Sequence, residues 1–244
     1  MAEGPQPRLD EAAVFAALEA TWPPAEAVEA RGWRLRRGLG GGKRVSAASP
    51  LEVGADPDAA VAAMAGWGQE PLFQIRPQDE WLDDALSARR YQIIDRSQFL
   101  AAPAAPLLDD RPETARLIRG DGRVALMEEI WAEGGVGPGR LAVMDRTKAP
   151  KSYLMARLGD RAAAVAFVAA SGGVAMIHAI ETLHAMRRKG AARMLVAGAA
   201  RFAVEAGAET LALVVTEANA PANGLYASLG FRRVAAYHYR SAPY

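Results

Sequence analysis

The sequence predicts an α/β protein arranged as two similar halves. Three observations predict it. The second half reads β-β-β-α-β-α-β, and the glycine-bearing joints Gly159-Asp160 and Ser171-Gly172-Gly173 make its first three strands an antiparallel meander. Residues 211–215 are apolar throughout, as a strand buried on both faces must be. An offset of 140 residues lays the strand end Ile75 on Val215, Leu82 on Ala222, Leu86 on Tyr226 and Tyr91 on Phe231. Strand, helix, strand, helix, strand then match in order.

In chain order, Asp10 caps a helix carrying Val14, Phe15 and Leu18, stopped by Trp22-Pro23-Pro24. Trp33 and Leu35 alternate with Arg34 and Arg36, a half-buried strand, and Gly40-Gly41-Gly42 turns the chain into a strand over 43–48. Asp56-Pro57 is a cap with proline at the first helical position, opening an alanine-rich helix to about Gly66. A strand at 72–75, a helix capped by Asp79 and a strand at 91–94 follow. Pro103, Pro106 and Pro112 mark residues 101–113 as a linker, dividing the chain into 1–106 and 107–244. Val124, Met127 and Trp131 define a helix ended by Gly134-Gly135, and 141–144 reads as a strand. Strands at 152–158, 162–170 and 174–183 form the meander. A long amphipathic helix spans 190–206, with Gly207 at its end. The strand at 211–215, a helix at 221–228 and one or two strands over 231–240 complete the chain.

Composition removes several kinds of chemistry. At 244 residues the chain makes one large domain or two small ones, with a core that needs no staples. There is no cysteine, so no disulfide, thiol nucleophile, zinc knuckle or iron–sulfur cluster. His178, His184 and His238 are the only histidines and lack metalloprotease spacing, so no metal is expected. A net charge of +1 calls for neither nucleic acid nor an anionic membrane. The N-terminus carries acids where a signal peptide would carry basic residues, and no apolar stretch is long enough to span a bilayer. The expectation is a soluble, cytoplasmic protein.

The segment His184-Ala185-Met186-Arg187-Arg188-Lys189-Gly190-Ala191-Ala192 joins a strand to a helix. It places unpaired amides and the positive end of a helix dipole beside a basic loop, an arrangement suited to phosphate. It is not a Walker loop, nor is the stretch from Gly38 to Lys43, where Arg37 stands for the first glycine and Arg44 for Ser or Thr. No Rossmann fingerprint follows a strand.

Arg187-x-x-Gly190-x-Ala192 resembles the R/Q-x-x-G-x-G/A loop of the GCN5-related N-acetyltransferases (GNAT). Asn219-x-x-Ala222-x-x-Leu225-Tyr226-x-x-Leu229-Gly230-Phe231 resembles their second motif, and the likeness runs from about Gly120 to Arg240. The resemblance implies the acyl-CoA N-acyltransferase fold, with acetyl-CoA wedged between the fourth and fifth strands of a mixed sheet and no metal. It implies that Ile180, Glu181 and Thr182 pair with the pantetheine arm. Arg187, Arg188, Lys189, Gly190, Ala191, Ala192 and Arg193 would hold the pyrophosphate, Asn219 would reach the pantetheine or stabilise its surroundings, and Tyr226 would protonate the departing thiolate. The acceptor it implies is a primary amine, on a small molecule or on a peptide or protein; the alternatives are a non-catalytic CoA-binding module and a transferase for a different acyl-CoA.

The base is open at this stage. A histidine suits proton transfer near neutral pH, and Met176, His178, Ile180 and Thr182 share one face if the strand alternates strictly. Glu181 then lies on the other face unless a bulge reverses it, and a water relay is the third route. The 140-residue offset makes the first half resemble a degenerate copy of the same fold, a tandem arrangement. Leu86 stands for Tyr226, Asp79 for Asn219, and Ala47-Ala48-Ser49-Pro50-Leu51-Glu52 for the phosphate loop, bringing a proline and an acid where glycine and bare amides are needed. That half is expected to bind no CoA and to shape one wall of the amine pocket.

Overall fold

The computed structural model describes residues 10–108 and 115–242. Asp10 caps α1 (Glu11–Thr21), its carboxylate accepting from the Ala12 amide at 3.2 Å. β1 (Glu26–Ala30) and β2 (Trp33–Arg37) form an antiparallel hairpin, to which β3 (Ser49–Pro50) adds two residues. α2 (Pro57–Gly66) starts at its proline with Asp56 as cap. β4 (Leu72–Ile75), α3 (Glu80–Ala88) and β5 (Gln92–Pro103) close the first half. The second half contains β6 (Ala115–Gly120), α4 (Ala125–Glu133), α5 (Pro138–Arg146), β7 (Lys151–Leu158), β8 (Arg161–Ser171) and β9 (Val174–Thr182). It continues through α6 (Ala191–Glu205), β10 (Thr210–Thr216), α7 (Ala220–Ser228) and β11 (Arg232–Ser241).

Three sequence expectations are corrected. Residues 43–48 are not a strand: Lys43–Val45 is a 3-10 turn, stacked on the glycine run before it. The short apolar run 141–144 is helical, inside α5, where Gly137-Pro138 starts a helix. The predicted linker begins inside β5, whose last residues Ala101, Ala102 and Pro103 pair with β10; residues 109–113 of it lie outside the described chain. β1 and β6 were not foreseen.

One sheet joins the halves, in the order β4-β11-β5-β10-β9-β8-β7-β6. β5 of the first half lies between β10 and β11 of the second, and β11 lies between β4 and β5 of the first. Each half thus ends in a strand that completes the other half's pairing. The exchange is close to twofold symmetric. Arg232 faces Ala101 and Ser241 faces Gln92, pairs that interchange under the 140-residue offset. α3 and α7 sit at the same offset.

Apolar alternation along these strands buries both faces of the sheet. On one face α1, α4 and α5 cover Phe99, Tyr153, Phe167, Met176, Tyr237 and Tyr239. On the other, α6 and α7 cover Leu154, Val168, Ile177, Leu213 and Val215. A third cluster, with Trp33, Phe73, Ile75, Leu82 and Leu86, lies under α2 and α3. Each large apolar side chain so buried contributes about 1.5–3 kcal/mol. α1 belongs to the first half by sequence but packs on β8 and β9 of the second. Its C-terminal end is therefore part of the second half's central cleft.

Candidate active site

β9 and β10 run parallel and pair only at Val174 with Thr210, Ala175 with Leu211, and Met176 with Ala212. Beyond those residues they part. A bulge on β9 opens the gap: Phe167 of β8 faces His178 and Val165 faces Glu181, so Ala179 and Ile180 together oppose Ala166. Ala179 takes a positive φ of 47° to accommodate the extra residue, and the Trp131 indole donates to its carbonyl at 2.8 Å. A cleft of about 1350 Å³ lies between the parted strands.

The bulge corrects the expected strand face. Met176 and His178 face the cluster that contains Phe167, but Ile180 packs against the opposite cluster and Glu181 comes to face Val165. His178 and Glu181 therefore share a side.

At one end of the cleft the chain leaves β9 through a 3-10 turn (His184–Met186) and a basic loop. Arg188 has φ 59° and Gly190 φ 86°, and Gly190 starts α6 without any side-chain cap. The first-turn amides of α6 thus face this end unsatisfied by side chains, flanked by exposed Arg187, Arg188 and Lys189. Arg187 Nε donates to the Thr182 carbonyl at 3.4 Å, and Arg193 Nη2 to Ser228 Oγ at 3.1 Å. Asn219 caps α7, its Oδ1 accepting from the Ala222 amide at 3.3 Å. Tyr226, on the same helix, is buried against Phe231 and lines the cleft. Its hydroxyl has no hydrogen-bond partner among the described residues, and burial pushes the phenol up to about 12.

At the other end His178 is buried between Trp22, stacked at 5.0 Å, and Phe167. The Thr21 hydroxyl donates to the Ala17 carbonyl at 2.7 Å, so its 2.9 Å contact with His178 Nε2 is one in which it accepts. The proton is fixed on Nε2, and Nδ1 carries a lone pair with no partner among the described residues. Burial, then the Arg44 charge, holds the ring well below its usual range, so it is neutral at pH 7. Burial raises the Glu181 carboxyl, opposed by Arg187 and Arg140.

Every residue singled out from the sequence lines this one cleft: His178, Ile180, Glu181, Thr182, the loop from Arg187 to Arg193, Asn219 and Tyr226. Sequence reasoning expected a wall from the first half but did not identify the residues that face them. Trp22, Gly41, Gly42, Lys43, Arg44, Asp95 and Ser97 come from the first half, joined by Tyr237 and Tyr239 of β11. The period-2 alternation of residues 237–240 was the available signal: Tyr237 and Tyr239 point to the cleft, while His238 and Arg240 both reach Asp83 at 2.8 Å. Among the described residues no cluster of three or more His, Asp or Glu could hold a metal ion.

A mixed sheet split between two parallel strands, with a helix N-terminus at the split, defines the acyltransferase class of fold. Residues 123–231 match the model of the Acetyltransferase (GNAT) family. The GCN5-related N-acetyltransferase from Kribbella flavida superposes with a TM-score of 0.73 at 20% identity, covering 95% of each chain. A functionally unknown conserved protein from Staphylococcus epidermidis ATCC 12228 does so at 0.70 and 11% identity, over 91% of this chain and 96% of that one. A tandem GNAT protein from the clavulanic acid biosynthesis pathway gives 0.59 at 12% identity, over 80% and 74%. At these identities the likeness is one of fold, and it extends to both halves. No curated protein sequence matches the chain.

Proposed function

We propose that the protein transfers the acetyl group of acetyl-CoA directly to a primary amine. The observation that carries this reading is the single cleft that has the uncapped amides of α6 at one end, a neutral imidazole at the other, and a protonated phenol in its wall. The amides of residues 188–193 hold the pyrophosphate, with Arg187 and Lys189 beside it, and the strand edge at Ile180, Glu181 and Thr182 pairs with the pantetheine arm. Asn219 contributes chiefly by starting the helix that carries Tyr226. The amine nitrogen attacks the thioester carbon and passes its proton to His178 Nδ1. The oxyanion is met by a backbone N–H at the bulge. The C–S bond then breaks and Tyr226 protonates the thiolate, leaving an amide and free CoA. Glu181, on the same side as His178, is the second candidate base. Residues 1–106 form a half without a CoA site, and residues 107–244 the catalytic half. The protein would work in the cytoplasm.

The test is thiol release from acetyl-CoA against a panel of amines, together with CoA binding by calorimetry. Turnover is expected with at least one amine class, and Gly190→Glu is expected to weaken CoA binding by roughly a hundredfold or more, because it combines a side chain at positive φ with a carboxylate facing phosphate. CoA binding without turnover of any amine would reduce the protein to a CoA-binding module.

A further inference from the structure

Among the described residues, Arg44, which lines the cleft with His178, has no carboxylate partner. Arg44 stands on the 3-10 turn Lys43–Val45 of the first half and reaches across into the second. Its guanidinium makes one hydrogen bond, from Nη2 to the Val214 carbonyl at 3.3 Å, on β10 beyond the point where β9 leaves it. Nearby, Lys43 pairs with Asp95 at 2.6 Å, and Glu181 lies in the fields of Arg187 and Arg140. A half-buried guanidinium has five N–H donors and is costly to desolvate, so it is normally matched by an acid. Arg34 and Arg36 of the first half are matched in this way, both pairing with Glu19.

A second donor faces the same space. The Tyr239 hydroxyl donates to the Tyr237 hydroxyl at 3.4 Å, so the Tyr237 proton is left without an acceptor among the described residues. Both tyrosines and Arg44 line the cleft with His178. Arg44 is near enough to both His178 and Tyr239 for its charge to act on each.

Building on the transferase reading above, we infer that the acceptor is a small amine bearing an anionic group a few bonds from its nitrogen, with Arg44 and the Tyr237 hydroxyl binding the anion while the amine faces His178. A carboxylate accepts a guanidinium fork in the plane of two oxygens, and a phosphate offers the same two-oxygen edge. That Arg44 and His178 line one cleft, with the Arg44 charge acting on the ring, favours an amine and anion on one small molecule over a polypeptide lysine.

The experiment measures kcat/KM for thiol release with acetyl-CoA, at equal concentrations of unprotonated amine. The pairs are L-leucine and 3-methylbutylamine, L-phenylalanine and phenethylamine, and O-phosphoethanolamine and ethanolamine, with spermidine and a lysine-containing peptide added. In at least one pair the anionic member is expected to exceed its neutral counterpart by about tenfold or more; which pair it is tells carboxylate from phosphate. Arg44→Met should erase that ratio and Arg44→Lys keep part of it, while CoA affinity, measured by calorimetry, stays within about twofold in both. Neutral amines, spermidine or the peptide turning over as well as or better than the anionic members would overturn the inference and leave the transferase reading standing. So would a ratio unchanged in Arg44→Met. Thiol release from none of them would overturn the transferase reading itself.

Discussion

The units β4–α3–β5 and β10–α7–β11 are the same piece of chain used twice, and they differ in what surrounds their helices. Leu86 and Tyr226 hold equivalent positions and are both buried, at 0% and 6% exposure. Leu86 is enclosed by the cluster of Trp33, Phe73 and Leu82, whereas Tyr226 has one side on an open cleft. Asp79 and Asn219 both stand at helix starts. Asp79 accepts from the Arg76 amide, Asn219 from that of Ala222. The larger contrast lies one helix earlier. α6 begins at an uncapped glycine behind a basic loop, while α2 begins at a capping Asp56 and Pro57, which satisfies or removes the amides an anion would need. The cap and proline at α2 leave fewer bare amides for an anion than the glycine start of α6 does.

That comparison can be broken at three points. The largest effect is expected at Tyr226: Tyr226→Phe should lower the rate at saturating substrates by roughly 10²–10⁴-fold, with CoA affinity little changed, as measured by steady-state thiol release and calorimetry. An unchanged rate would return Tyr226 to the packing role of its counterpart. Leu86→Ala should do the opposite. It should cost about 2–5 kcal/mol of stability in a denaturant titration and leave the rate per folded molecule intact; a selective loss of rate would mean that the first half takes part in the chemistry.

The smallest effect concerns His178, which has no counterpart in the first half. Because the folded ring is held well below 6.5, the folded chain resists a proton that the unfolded chain accepts. The stability this ring allows is complete above about pH 6.5 and falls as the pH drops below it, by up to about 1.4 kcal/mol per pH unit. His178→Gln should flatten that slope in denaturant midpoints measured from pH 7 to 5, and an identical slope in both proteins would show that the ring protonates freely.

Where helix caps and alternation were strong the sequence could be read. Asp10, Asp56-Pro57, Gly190 and the apolar strand near Leu213 all lie where their physics requires. Leu141 to Met144 misled because four apolar residues have no period; Gly137-Pro138 was the better signal. The loop and helix motifs gave one side of the cleft. The opposite side was hidden for two reasons. The bulge at Ala179 involves neither glycine nor proline, so nothing local announced that Glu181 would turn to the side of His178. And Arg44, Asp95 and Tyr237 meet only because β5 and β11 trade places, a long-range pairing that no local pattern encodes.

That trade has a consequence for how the chain is made. β5 finds its neighbours at residues 210–216 and 232–241, more than a hundred positions further along. During synthesis the first half must therefore wait, with both edges of β5 unpaired, until nearly the whole chain has left the ribosome. Pairings this distant in sequence form slowly, and open strand edges invite contact with other chains. A nascent chain halted after α6 still lacks both neighbours of β5, so it is expected to be a chaperone client.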